Sequence, residues 1–194
     1  MSFPYAFEAI GTKWQIDIGD SLSEERESFV FSCLRERIEV YDKTYSRFRS
    51  DSLVTKMSQE AGTYTFPSDA SELFALYRKF YDVTDGHVTP LIGDVLVALG
   101  YDAKYSLTKQ NNPQMPAPWD DVLLYEAPTL TVKTPSVIDI GAGGKGHLVD
   151  IIGELLEESG VTTYTIDAGG DIRHRSMDGT SLRVGLESPL DISE

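Results

Sequence analysis

The sequence predicts an α+β domain of mixed and antiparallel sheets with flanking helices, and three observations carry this. Short segments with period-two alternation lie toward both ends of the chain. Two longer segments place apolar residues at helical spacing. The two kinds do not alternate strictly, as a doubly wound sheet would require. At 194 residues the chain is long enough for one such domain with a sizeable core, read here as a single domain over residues 1–194.

The elements follow in order. Tyr5 to Ile18 alternates as one strand, with Gly11 as a bulge. Ser21-Leu-Ser-Glu24 has the form of a capping box, after which Val30, Cys33, Leu34, Ile38 and Tyr41 share one face of a helix over about 23–42. Ser68 is placed to cap a second helix that buries Leu73, Leu76, Tyr77 and Phe80 and stops at Asp85-Gly86. Residues 102–121, rich in proline and without periodicity, read as a long loop. Leu123–Tyr125 and Thr129–Lys133 read as short strands, Val137–Ile140 as a strand running into glycines, and Lys145–Glu158 as a helix stopped by Gly160. Thr162–Asp167 and a last strand near Leu182–Leu186 complete the set.

Composition excludes several classes of function. With 31 acidic and 17 basic residues the net charge is −14, a field that repels phosphate backbones and speaks against nucleic-acid binding. A phosphate-bearing ligand must be met locally, by backbone N–H groups, a few cations or a metal. Cys33 is the one cysteine, so there is no internal disulfide, and it reads as a small buried thiol. No apolar run approaches the ~20 residues of a membrane span. Met1-Ser-Phe-Pro-Tyr5 lacks the basic and apolar regions of an export signal, which reads as cytoplasmic. The oligomeric state is not encoded in any feature of the sequence.

The strongest local signal is Asp139-Ile-Gly141-Ala-Gly143-Gly144-Lys145-Gly146. A strand enters, glycines turn the chain, and a helix leaves. Glycines allow positive φ and close ligand approach, and the free N–H groups at the helix start favour a phosphate. Lys145 adds a cation. A plain tight turn packing strand on helix would use the same glycines. Gly141-x-Gly143-x-x-Gly146 also fits the fingerprint of a nicotinamide dinucleotide site, with Asp167 near the end of the next strand as the ribose acid. Against that reading, most of the chain precedes the turn, and Asp139 puts a charge where a first strand is apolar. A P-loop is ruled out because Gly146, and no Ser or Thr, follows Lys145.

In four segments the chain resembles the FAD:protein FMN transferase family, also called the ApbE family. These are Ala9-Ile-Gly-Thr12 with Trp14; Tyr45-Ser-Arg-Phe48-Arg-Ser-Asp-Ser52; Asp85-Gly-His-Val-Thr89-Pro90 through Gly93 to Tyr101; and Ile138 through Asp150, followed by Asp167-Ala-Gly-Gly-Asp171-Ile172. They occur in family order across nearly the whole chain. The resemblance implies the transferase fold and magnesium-dependent transfer of FMN from FAD to a Thr or Ser of a target flavoprotein, with release of AMP. FAD is then a substrate, contacted at Ile10, Phe48, His87, Val88, Thr89, Asp139 and Lys145. Phe48 would stack on the isoalloxazine or adenine, and the carbonyl of Ala142 would be a Mg2+ ligand.

Three departures qualify the match. Asp167 stands where the family pattern has an asparagine-like residue, and Thr89 where it has an aspartate. The pattern also continues beyond Glu194, through the segment that carries the metal's side-chain ligands, so the expectation is a C-terminally incomplete domain. A flavin-binding or trafficking domain without transfer, and the nicotinamide oxidoreductase above, remain as alternatives.

Overall fold

The computed structural model describes residues 4–109 and 113–185. Two antiparallel sheets form its frame, as the α+β expectation required. The first holds four strands in the order β1-β2-β6-β7: β1 Tyr5–Ala9, β2 Thr12–Ile18, β6 Tyr164–Ala168 and β7 Asp171–Arg175. The second holds three in the order β3-β5-β4: β3 Gly62–Thr65, β4 Leu123–Glu126 and β5 Thr129–Val132.

The N-terminal segment is a hairpin and not the single bulged strand expected. Ile10 and Gly11 form its two-residue turn, with φ of 43° and 75°. Positive φ at both central positions gives the turn a twist that matches paired strands. Gly11 suits this backbone, whereas a β-branched isoleucine rarely adopts it. Trp14 helps to hold Ile10 there, for its Nε1 donates to the Ala9 carbonyl at 3.1 Å. From the hairpin, β2 pairs with β6 in the register Trp14↔Ala168 to Ile18↔Tyr164. Trp14, Ile16 and Ile18 face the core together with Tyr164, Ile166 and Ala168.

Helix α1 runs Glu24–Tyr45. Val30, Leu34, Ile38, Tyr41 and Tyr45 recur at three- and four-residue intervals on its buried face, while Cys33 is only half-buried. Ser23, and not Ser21, caps it by accepting from the Arg26 N–H. Helix α6, Gly144–Glu158, buries Leu148, Val149, Ile152 and Leu156 against α1 and the four-stranded sheet. Helix α3, Ala70–Val83, starts after Asp69, whose side chain makes no cap hydrogen bond. It buries Leu73, Phe74 and Tyr77: Phe74 meets Tyr125 of the small sheet at 4.7 Å between ring centroids, and Tyr77 reaches Gly143 of the glycine turn. The expected core residues Leu76 and Phe80 stay 41% and 44% exposed.

Other expectations need correction. Val137–Ile140 joins no sheet, since the Val137 amide is taken by the Asp94 carboxylate and the Asp139 amide by the Pro90 carbonyl. The last strand lies earlier than expected, at Asp171–Arg175; residues 181–185 form none, and Leu186 is outside the described residues. Unforeseen elements are α2 Leu53–Met57, β3, a 3-10 turn Pro90–Ile92 running into α4 Gly93–Ala98, and α5 Trp119–Val122 inside the long loop. No helix among the described residues is long and apolar enough to cross a membrane.

Every neighbouring strand pair in both sheets is antiparallel. The glycine turn therefore opens no parallel βαβ unit, and the nicotinamide fingerprint lacks the crossover geometry that gives it meaning. That alternative falls.

Candidate functional site

Four stretches distant in sequence meet at one recess of about 430 Å3. They are the hairpin turn Ile10-Gly11, the end of α1 with the residues after it (Tyr41 to Arg49), the loop carrying Tyr105, and the glycine turn from Asp139 to Lys145. Of the residues expected at a site, Ile10, Phe48, Asp139 and Lys145 line this recess.

The glycine turn differs from the expectation in one respect. None of Gly141, Gly143, Gly144 and Gly146 uses positive φ. A Cβ at Gly144 would lie 2.6 Å from Ile140 Cδ1, so the end of that side chain would have to move to admit one. Gly143 and Gly146 would meet their neighbours no closer than 3.8 Å, so packing does not demand them. Their effect is a bare backbone at the start of α6. The amides of Lys145 and Gly146 have no acceptor from the preceding turn among the described residues, which is the condition for binding an anion.

Arg47 organises the recess, and sequence reading missed it. Its Nε is paired with Asp139 Oδ2, and the two side chains are only 8% and 13% exposed. Asp139 Oδ1 accepts from the Gly141 N–H at 2.7 Å, so this acid fixes the turn while Arg47 neutralises it. The Arg47 Nη1 donates to the Tyr101 carbonyl at 2.6 Å, and its guanidinium lies 4.1 Å from the centre of the Phe48 ring. Phe48 stacks on Tyr105 with centroids 5.2 Å apart and planes 10° from parallel. The only sequence signal for Arg47 was its place in the Tyr45-Ser-Arg-Phe48 segment.

Behind the turn, Tyr41 donates to the Gly144 carbonyl at 2.9 Å and lies 3.2 Å from His147 Nδ1. The Tyr41 hydroxyl thus stands between the Gly144 carbonyl and the His147 ring nitrogen. Burial pushes the Tyr41 hydroxyl far above its ordinary range and lowers His147, so both stay neutral near pH 7. Burial likewise pushes Tyr77, whose oxygen accepts from the Gly143 N–H, up to about 12.

The remaining expected residues lie apart from the recess. His87 is exposed, and its amide donates to the Thr84 carbonyl at 3.1 Å. The Val88 amide donates to Thr84 Oγ1 at 3.0 Å, and buried Thr89 accepts from the Leu91 N–H. This segment supports the turn from behind, because the next residue, Pro90, accepts from the Asp139 amide.

The magnesium site that the resemblance implies is not built by the described residues. Ala142 is exposed, but Asp139 is committed to Arg47 and Gly141, and Asp171 lies 3.6 Å from Lys145. No group of three or more His, Cys, Asp or Glu able to hold a metal occurs among them. A hard dication requires about six oxygen ligands, so no step is assigned to one here.

Comparison with known proteins agrees with this frame. The model of the ApbE family matches residues 10–194. The FAD:protein FMN transferase of Haemophilus influenzae is 26% identical over 164 residues, covering 77% of this chain and 47% of that protein. The one from Escherichia coli K12 is 22% identical over 204 aligned positions, covering 95% and 56%. The chain thus spans about half the length of the curated relatives it matches. Among solved structures, a mutant form of the Vibrio cholerae flavin transferase ApbE superposes with a TM-score of 0.79 at 18% identity, over 96% of this chain and 68% of that one. The apo form of the Pseudomonas stutzeri flavinyl transferase ApbE gives 0.74 at 17%, over 95% and 64%. The fold is shared, the family model reaches from Ile10 to the last residue, and the chain belongs to the ApbE family.

Proposed function

We propose that the recess binds FAD and that the protein transfers FMN from it to a Thr or Ser of a target flavoprotein. The observation that carries this is the meeting, in one recess, of a bare helix N-terminus with Lys145 and a stacked pair of aromatic rings. The first suits a diphosphate and the second a flat heterocycle, which are the two parts of a flavin dinucleotide. The names of the relatives, FAD:protein FMN transferase, support the same reading.

In the proposed reaction the acceptor hydroxyl oxygen forms a bond to the FMN-side phosphorus. The bond from that phosphorus to the bridging diphosphate oxygen breaks, AMP leaves with the electron pair, and the hydroxyl proton passes to AMP or solvent. The amides of Lys145 and Gly146 and the Lys145 ammonium would hold the diphosphate, while Arg47 and Asp139 keep the turn in place. Contacts from Ile10, His87, Val88 and Thr89, and a magnesium ion meeting the Ala142 carbonyl, belong to the proposal through the resemblance alone.

Two measurements test it. Flavin-fluorescence quenching and calorimetry should show FAD binding more tightly than NAD or NADP, and preferential nicotinamide binding would refute the reading. Incubation with FAD, magnesium and an acceptor flavoprotein, read by in-gel fluorescence and by mass, should give little covalent FMN with the 194-residue chain alone, because the described residues offer a metal no set of carboxylates; robust magnesium-dependent labelling would point to Asp139, Asp167 or Asp171 as the missing ligand.

A further inference from the structure

The loop from Gly100 to Thr108 adopts a shape that its residues do not favour. Tyr105 and Leu107 both lie in the left-handed region, with φ of 49° and 51°. A network of hydrogen bonds holds them there. Asp102 Oδ1 accepts from the amides of Lys104 and Ser106 at 2.8 and 3.2 Å. The Tyr105 amide donates to the Asp102 carbonyl at 3.0 Å, and that of Leu107 to the Gly100 carbonyl at 2.9 Å. Gly100, at φ 95°, is where the loop closes, since a Cβ there would lie 2.6 Å from the Thr108 nitrogen. Arg47 ties the loop to the recess through the Tyr101 carbonyl.

Core burial does not account for this arrangement, because Tyr105 remains 58% exposed. What the loop achieves is to lay the Tyr105 ring parallel on Phe48 in the wall of the recess. Strained backbone held by many bonds, with little burial in return, is characteristic of a ligand-binding position. With 5.2 Å between centroids the two rings are in contact, so no third ring fits between them, and the open face of the pair is the available seat.

We propose that Tyr105 is a ligand-binding and specificity residue, forming with Phe48 a two-ring platform on which a flat heteroaromatic ring of the dinucleotide stacks. This rests on the flavin-dinucleotide reading above. FAD has such a ring at each end, and the platform suits either.

The test uses the 194-residue chain and its Tyr105→Ala and Tyr105→Phe variants, titrated by calorimetry with FAD, riboflavin and ADP. Tyr105→Ala should weaken FAD binding about tenfold, within the range for loss of one aromatic stacking partner. Tyr105→Phe should bind like the parent, and both variants should keep its thermal midpoint because the loop is outside the core. A parallel loss for riboflavin alone seats the isoalloxazine on the platform, and a loss for ADP alone seats the adenine. Unchanged or tighter FAD binding by Tyr105→Ala overturns the proposal and leaves the flavin reading standing. Failure of the parent chain to bind FAD defeats that reading first, and this inference with it.

Discussion

The guanidinium of Arg47 meets a carboxylate, a backbone carbonyl and an aromatic face at once, and its near-complete burial sets its importance. Removing one partner of a buried pair leaves the other charge without compensation, which costs about 3–5 kcal/mol. Arg47→Ala should lower folding stability by about that much in urea titration, and Arg47→Lys should restore only part, since an ammonium cannot reproduce the planar fork. Arg49 is the contrast. It is bonded to Glu39, Asp42 and Asp51, but its side chain is 28% exposed and Glu39 and Asp51 about half exposed, so water screens these pairs more than the Arg47 pair and leaves them less to contribute. Arg49→Ala should unfold close to the parent midpoint, and an equal loss for both arginines would refute the distinction. Asp139, Lys145, Phe48 and Ile10 were legible in the sequence because each sits in a motif or beside a glycine. Arg47 was not, because its meaning comes from an acid 92 residues away. Tyr105 was not either, because it lies in a loop without periodicity, where only the backbone conformation marks it.

At the scale of elements, the glycine turn depends on a segment behind it that never joins a sheet. Gly93, at the start of α4, packs so closely that a Cβ would lie 2.2 Å from the Val137 carbonyl oxygen. The obstacle is backbone, which cannot rotate away. Gly93→Ala should therefore destabilise the chain by about 1–3 kcal/mol through overpacking, measured by thermal or urea unfolding. A neutral result would show that α4 shifts freely. Helices α1 and α6 were legible because their buried faces repeat over about three turns or more. The short elements α2, β3 and α4 offer too few residues for a period to emerge. Val137–Ile140 misled for a physical reason: apolar residues alternating with a polar one read as a strand, yet the amides of Val137 and Asp139 bond to Asp94 and Pro90. The Leu76 and Phe80 positions on α3 show the reverse, helical spacing being right and the extent of burial wrong.

For the whole molecule, the charge of −14 acts against the proposed ligand, whose diphosphate has the same sign. The cations at the recess act only at short range. Raising sodium chloride from about 20 to about 200 mM shortens the screening length from about 20 to about 7 Å. The association rate of FAD should then rise severalfold in stopped-flow quenching. A rate that falls with salt would mean that Arg47 and Lys145 dominate the approach. The antiparallel order of both sheets, which decides between the dinucleotide readings, was legible only as a lack of strict alternation between strands and helices.

That topology also bears on how the chain reaches its folded state. Strand β2 finds its partner in β6, with Trp14 set against Ala168. At translation rates of about 5–20 residues per second, roughly 8–30 s separate the synthesis of the two. During that interval the apolar face of the hairpin waits on a nascent chain with an unpaired edge, a state open to capture by chaperones or by other chains. The recess needs the hairpin turn and the glycine turn together, so it comes into being only once the last of these strands has emerged. On the proposed reading, flavin cannot template the early steps of folding; it can only stabilise the finished product by mass action.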